Sequence, residues 1–165
     1  MLDELDDLFE NLDIYGPTNE QLYRMYGIYL NDFVKNELVI DGCRVIVNNN
    51  IVRDKNKGLF LGKHYTFNHL VTIESKISHK RIFDKYRANK IHWIRTILEQ
   101  MNDKRILYFE KIDVDNVNKR YFWYKERNFI IVLKEIIPDV MLVTAFCTDE
   151  YSKKGFENDY KYYHK

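Results

Sequence analysis

The chain reads as an α+β protein, with helical patterns ahead of a four-strand antiparallel meander. Three observations predict this. Apolar residues recur at helical spacing in several segments up to Met101. After Asn102-Asp103 the pattern changes to short runs of aromatic and β-branched residues, joined by connections too short for crossover helices. An apolar content of 45%, with 15% aromatic, argues for a packed core despite 31% charged residues.

The elements follow in order. Leu2, Leu5, Leu8, Phe9 and Leu12 predict an amphipathic helix over residues 2–13, which Tyr15-Gly16-Pro17 ends. Thr18 and Gln21 form a capping box for a second helix, whose stripe is Leu22, Met25, Tyr26, Tyr29, Leu30 and Phe33. Val39, Ile40, Val45 and Val47 flank Asp41-Gly42, a hairpin signal. Residues 48–58 read as a loop. Thr66 opens a short helix carrying Phe67, Leu70 and Val71. Asp84 caps a longer one with Ala88, Ile91, Ile94, Leu98 and Met101 on one face. Strands are expected at Ile106–Phe109, Tyr121–Tyr124, Phe129–Lys134 and Met141–Cys147, and the Tyr- and Lys-rich tail forms a last helix or strap.

Charge is unevenly spread. Residues 1–20 hold seven of the 25 acids and no Lys or Arg, leaving 18 acids against 26 bases in the rest, a balance of +8. A basic body attracts phosphate groups, and an acidic arm either stays solvated or folds back on that body. No run approaches the length of a membrane span, and the acidic N-terminus is unlike a signal peptide, so the expected location is the cytoplasm. Cys43 and Cys147 lie far apart and read as free thiols. The metalloprotease, phosphate-loop, dinucleotide and serine-elbow motifs are absent, and the Asp113/Asp115 pair lacks a calcium loop's spacing. No metal and no cofactor are expected.

Three polar residues in apolar surroundings stand out. His69 in TFNHL has the side chain best suited to acid–base work near neutral pH, and also fits a hydrogen-bonded structural histidine; His79 and His92 are its rivals. Arg87 in RANKIHWI offers a planar guanidinium to a phosphorane, with Lys90 one turn on, or else both belong to a solvated basic face. Thr144 interrupts LVTAF; by alternation it shares a face with Leu142 and Phe146, and it either holds a phosphate or is an ordinary strand former. Tyr160 and Lys161 combine a stacking ring with charge, as suits single-stranded RNA binding, in a chain where tyrosine is abundant throughout.

The order F-x-H-L, R-x-x-K-I-x-W-I, a Trp-containing strand and LVTAF resembles the phage-associated branch of the barnase–EndoU–colicin–RelE-like (BECR) ribonucleases. The resemblance covers residues 58–165. It leaves residues 1–57 as an acidic helical extension with a short strand pair. It implies N-terminal helices packed on a four-stranded antiparallel sheet, with the active site on the sheet's open face. It further implies a metal-independent endoribonuclease of toxin or effector type, which makes a 2′,3′-cyclic phosphate by 2′-OH attack. His69, Arg87 and Thr144 would be catalytic; Lys90, Tyr160 and Lys161 would bind the RNA substrate. A protein inhibitor or antitoxin is a possible partner. Two alternatives stand beside it: a non-catalytic phage or mobile-element protein that blocks a partner, and a nucleic-acid-binding module without chemistry.

Overall fold

A central mixed sheet organises the chain. The computed structural model describes residues 1–164. Its strands are β1 (Val39–Ile40), β2 (Cys43–Ile46), β3 (Thr72–Glu74), β4 (Arg81–Phe83), β5 (Ile106–Ile112), β6 (Asn118–Tyr124), β7 (Phe129–Ile136) and β8 (Asp139–Cys147). Its helices are α1 (Asn19–Leu30), α2 (Tyr65–Val71), α3 (Lys85–Ala88), α4 (Trp93–Glu99) and α5 (Glu150–Tyr163). Six strands form one sheet in the order β1-β2-β8-β7-β6-β5, and β3-β4 form a separate hairpin.

This corrects the expected four-stranded antiparallel sheet beneath N-terminal helices. The meander β5–β8 forms as read, but β2 joins β8 in parallel, Val45 opposite Val140 and Ile46 opposite Met141. Most helices also come later in the chain, four of the five following β1 and β2. Segments on either side of residue 57 therefore share one sheet and one apolar cluster.

The sheet is buried on both faces. On one, Phe122, Phe129, Ile131, Leu133, Val140 and Leu142 pack with apolar side chains of α1, α2 and α4. On the other, Trp123, Ile130 and Val132 are buried, and Phe156 of α5 packs against Tyr121, Trp123 and Phe146. The open face implied by the resemblance is thus covered along β6 and β7.

Residues 2–13 form no helix beyond a single 3-10 turn, Leu2–Glu4. Their apolar spacing is spent on contacts with the body: Leu2, Leu5 and Leu12 are buried in the main core. Body side chains satisfy the arm's backbone in place of a helical ladder. Asn89 accepts from Phe9 N–H (2.9 Å) and donates to the Phe9 carbonyl (3.2 Å). Trp93 Nε1 donates to the Asp6 carbonyl (2.9 Å), and Arg127 Nη2 to that of Leu5 (2.7 Å). Asp7 pairs with Lys90 and Asp3 with Arg105, so the arm's acids neutralise part of the basic body.

The single long helix expected from Asp84 is divided into α3 and α4. Asn89, at the break, is buried and its amide is committed to Phe9. From α4, Arg95 closes the end of α1, where a π-turn spans Asn31–Lys35. Its guanidinium donates to the carbonyls of Asp32 (2.6 Å), Asn36 (2.9 Å) and Glu37 (3.2 Å).

Because the arm is part of the core, Leu2→Ala should cost about 2–5 kcal/mol, the range for a buried leucine. Ile14→Ala, at an exposed position, should stay within about 0.5 kcal/mol. Urea unfolding distinguishes the two, and equal midpoints would mean that the arm is not packed in solution.

Candidate active site at the α2–β8 cleft

Seven residues make a marginal helix, so α2 depends on capping at both ends. Its first turn is held by the loop before it. The Tyr65 and Thr66 N–H groups donate to the carbonyls of Asn50 (2.8 Å) and Asn48 (3.3 Å), and Thr66 Oγ1 accepts from Asn48 N–H (2.8 Å). Its last turn ends on two guanidiniums. Arg81, from β4, donates through Nη2 to the carbonyls of Thr72 (2.7 Å) and His69 (3.2 Å), and through Nε to Thr72 Oγ1 (2.8 Å). Arg87, from α3, donates through Nη1 to the same Thr72 carbonyl (2.9 Å) and reaches Thr144 Oγ1 at 3.5 Å. Cations suit the negative end of a helix.

Two like charges therefore meet at one carbonyl. The nearest carboxylate to Arg87 is Asp84, 3.6 Å from Nε, and Asp84 also caps α3 through the N–H groups of Tyr86 and Arg87. Arg87 is largely enclosed, its side chain 12% exposed, with Phe146 beneath its guanidinium at 5.3 Å. Burial lowers the pKa of both guanidiniums, and for Arg87 the Arg81 charge adds to it against the pull of Asp84. Among the described residues, Nη1 of Arg81 and Nη2 of Arg87 have no hydrogen-bond acceptor.

His69, whose carbonyl Arg81 caps, also lines a cleft of about 170 Å3 with Asn48, Tyr65, Lys134, Met141 and Val143; neither arginine is in its wall. A bulge shapes it. In the register of β7 with β8, Val132 faces Thr144 while Leu133 faces Leu142, so Val143 is the extra residue. Leu142 points into the core, whereas Thr144 shares the opposite face with Phe146. Simple alternation had put Thr144 and Leu142 together; the bulge separates them. Past Met141, β8 has no strand partner on the β2 side among the described residues, and α2 and α3 pack against that margin.

His69 is half-buried, and its Nδ1 is enclosed with no hydrogen-bond partner among the described residues. Burial first, then the charges of Arg81, Arg87 and Lys57, push its pKa down to about 4. The imidazole is thus neutral near neutral pH, the form a general base requires.

Arg87 and Thr144 approach to 3.5 Å, and His69 lies near enough to Arg81 and Arg87 to feel their charge, whereas the other predicted residues lie elsewhere. Lys90 is committed to Asp7 and stacks over Trp93. Tyr160 and Lys161 line a different cleft, with Trp123 and Lys125, where α5 crosses the sheet. Of the rival histidines, His79 is exposed in the β3–β4 turn and His92 lies partly buried beside the arm. Sequence reasoning missed Arg81; the alternating Arg81-Ile82-Phe83, after the turn-forming Ser78-His79-Lys80, was the available signal for β4. Among the described residues no three His, Cys, Asp or Glu side chains cluster as a metal site, and no helix is long and apolar enough to cross a membrane.

The His69 ring resonances should titrate by NMR with a midpoint of about 4. A bound dianion favours the imidazolium, so inorganic phosphate should move that midpoint upward. A midpoint near 6.5 that phosphate leaves unmoved would remove the cationic surroundings described here. The sign for stability is also fixed. Above the unfolded pKa the folded state loses nothing to His69, and stability declines as pH falls from about 6.5 towards 4. No protein family, curated protein or solved structure matches this chain, so the chemistry of the cleft rests on its own geometry.

Proposed function

We propose that the α2–β8 cleft binds an RNA phosphodiester and cleaves it without a metal. One observation carries this reading. A neutral imidazole, His69, stands beside two guanidiniums that converge on a single carbonyl and each keep an NH2 group free. Like charges brought this close call for an anion between or beside them, and a phosphate with its negative oxygens matches the planar forks.

In this reading His69 accepts the proton of the ribose 2′-OH as that oxygen attacks phosphorus. The bond from phosphorus to the 5′-oxygen breaks, and the imidazolium returns the proton to that leaving oxygen. A 2′,3′-cyclic phosphate results. Arg87 and Arg81 carry the charge that builds on the phosphorane. Thr144, in contact with Arg87 Nη1, holds that guanidinium in place. The toxin or effector role belongs to the same proposal, and an inhibitor protein would act by covering this cleft.

A second reading is a binding protein without chemistry. It draws support from the use of both arginines to close α2, which gives them a structural reason to be there.

Cleavage of total RNA in excess EDTA separates the two. Wild type should release products ending in a cyclic phosphate. His69→Ala should slow this by about 10²–10⁴-fold, the usual contribution of a general base. Arg87→Ala should slow it by about 10²–10³-fold. Arg87→Lys keeps a cation at the α2 terminus and serves as the folding control. If wild type leaves RNA intact but binds it, with affinity falling as salt rises, the binding reading replaces the enzyme. Growth arrest on expression, lifted by His69→Ala, tests the toxin role.

A further inference from the structure

At about 170 Å3 the His69 cleft is smaller than the roughly 300–1,000 Å3 of pockets that enclose a whole small-molecule ligand. It therefore takes one ring-sized group and leaves the remainder of any substrate outside, as a polymer would be held.

Two side chains in its wall make no side-chain hydrogen bond or ion pair among the described residues. Tyr65, on the first turn of α2, is 48% exposed, and its hydroxyl has no hydrogen-bond partner among the described residues. Its ring lies nearly parallel to that of His69, at 25° with centroids 6.1 Å apart. Lys134 enters from β7, opposite Met141, and forms no ion pair among the described residues. The chain's other sheet lysines differ: Lys111 and Lys119 are paired with Asp159 and Asp113. A flat ring extending the His69 stack, with an uncommitted cation across the cleft, is complementary to a planar base carrying a neighbouring phosphate.

We infer that the cleft recognises one unpaired nucleobase, stacked on Tyr65 with its adjoining phosphate on Lys134, so that the protein selects single-stranded or looped RNA. A base inside a duplex is already covered on both faces by its neighbours and cannot lie on Tyr65. An extruded or single-stranded base can. Stacking on an aromatic ring tolerates any base, so the selection is for strandedness more than for sequence. The placement of the scissile bond beside the stacked base rests on the nuclease reading above; the stacking itself does not.

The test uses a 2′-O-methyl RNA oligonucleotide containing 2-aminopurine, which lacks the attacking hydroxyl and survives in the presence of the wild-type protein. Binding of the single strand should quench the fluorophore. The same oligonucleotide in a duplex should bind far more weakly, without quenching. Tyr65→Ala should weaken single-strand binding by about ten- to a hundred-fold, the worth of one stacked base. Tyr65→Phe and Tyr65→Trp should retain it, which a merely structural role of the hydroxyl would not predict. Lys134→Gln should reduce the salt slope by about 0.7, one phosphate's worth on a single strand.

Equal affinity for strand and duplex, or Tyr65→Ala with unchanged quenching and affinity, overturns the inference. The two readings fail separately. Unmodified RNA that is cut equally well by wild type and Tyr65→Ala leaves the nuclease and removes the stacked base. Single-strand binding that depends on Tyr65, with no product from unmodified RNA, supports the stacked base and removes the nuclease.

Discussion

The carbonyl end of α2 is the point on which the candidate site depends. A seven-residue helix cannot stand by its own hydrogen bonds. It persists here because its N–H end is received by the Asn48–Asn50 loop and its carbonyl end by Arg81 and Arg87. Those two arginines come from the β3–β4 hairpin and from α3. The same bonds thus hold His69 in position, gather the hairpin onto the helix and bring two positive charges to one place. The anion site proposed above and the capping of a short helix would be one arrangement.

How much of this could be read from the chain depended on whether the information was local. The Thr18–Gln21 capping box forms as the sequence indicates, with Gln21 N–H donating to Thr18 Oγ1. Asp41-Gly42 makes its hairpin with both residues at positive φ, and Asp84 caps a helix. Each of these is settled by residues three or four apart. The failures all involve distant partners. Residues 2–13 carry a helical period, but Asn89, Trp93 and Arg127 offer their backbone better partners. The parallel pairing of β2 with β8 joins residues about a hundred positions apart, which no turn signal announces. Val143 looks like one more residue of an alternating strand, and only the register with β7 makes it a bulge. At the candidate site, His69, Arg87 and Thr144 were visible as polar residues in apolar runs, whereas Arg81 was one basic residue among many until the hairpin placed it.

The charge asymmetry of the sequence resolves in the same physical way. The acidic arm does not extend from the body to repel nucleic acid. It lies along α3, α4 and the start of β5, where Asp7 and Asp3 meet Lys90 and Arg105. Positive charge is cancelled more fully on that flank than around His69, where Arg87 has Asp84 at 3.6 Å, Arg81 has Glu74 opposite it in the β3–β4 hairpin, and Lys134 forms no ion pair among the described residues. The basic surplus of the chain is therefore focused by where its acids are spent. On the proposed reading, a polyanion would be drawn toward His69 by subtraction elsewhere as much as by the residues there.

The lowered pKa of His69 looks at first like a handicap for acid–base work, because a base whose proton affinity is this low removes a hydroxyl proton reluctantly. Its causes point the other way. Besides burial, the depression comes from cations, and cations are what a phosphate neutralises. An anion seated on Arg81 and Arg87 would weaken the repulsion and supply an attraction of its own, raising the imidazole's affinity when the substrate is present. Burial and its positive neighbours keep His69 uncharged near neutral pH, which removes the cost of a third buried cation. On the proposed mechanism, a bound phosphate would let it take a proton at the moment one is released. The cationic cluster would then act twice, on the phosphorane and on the base, and the second effect requires only that the first ligand be negative.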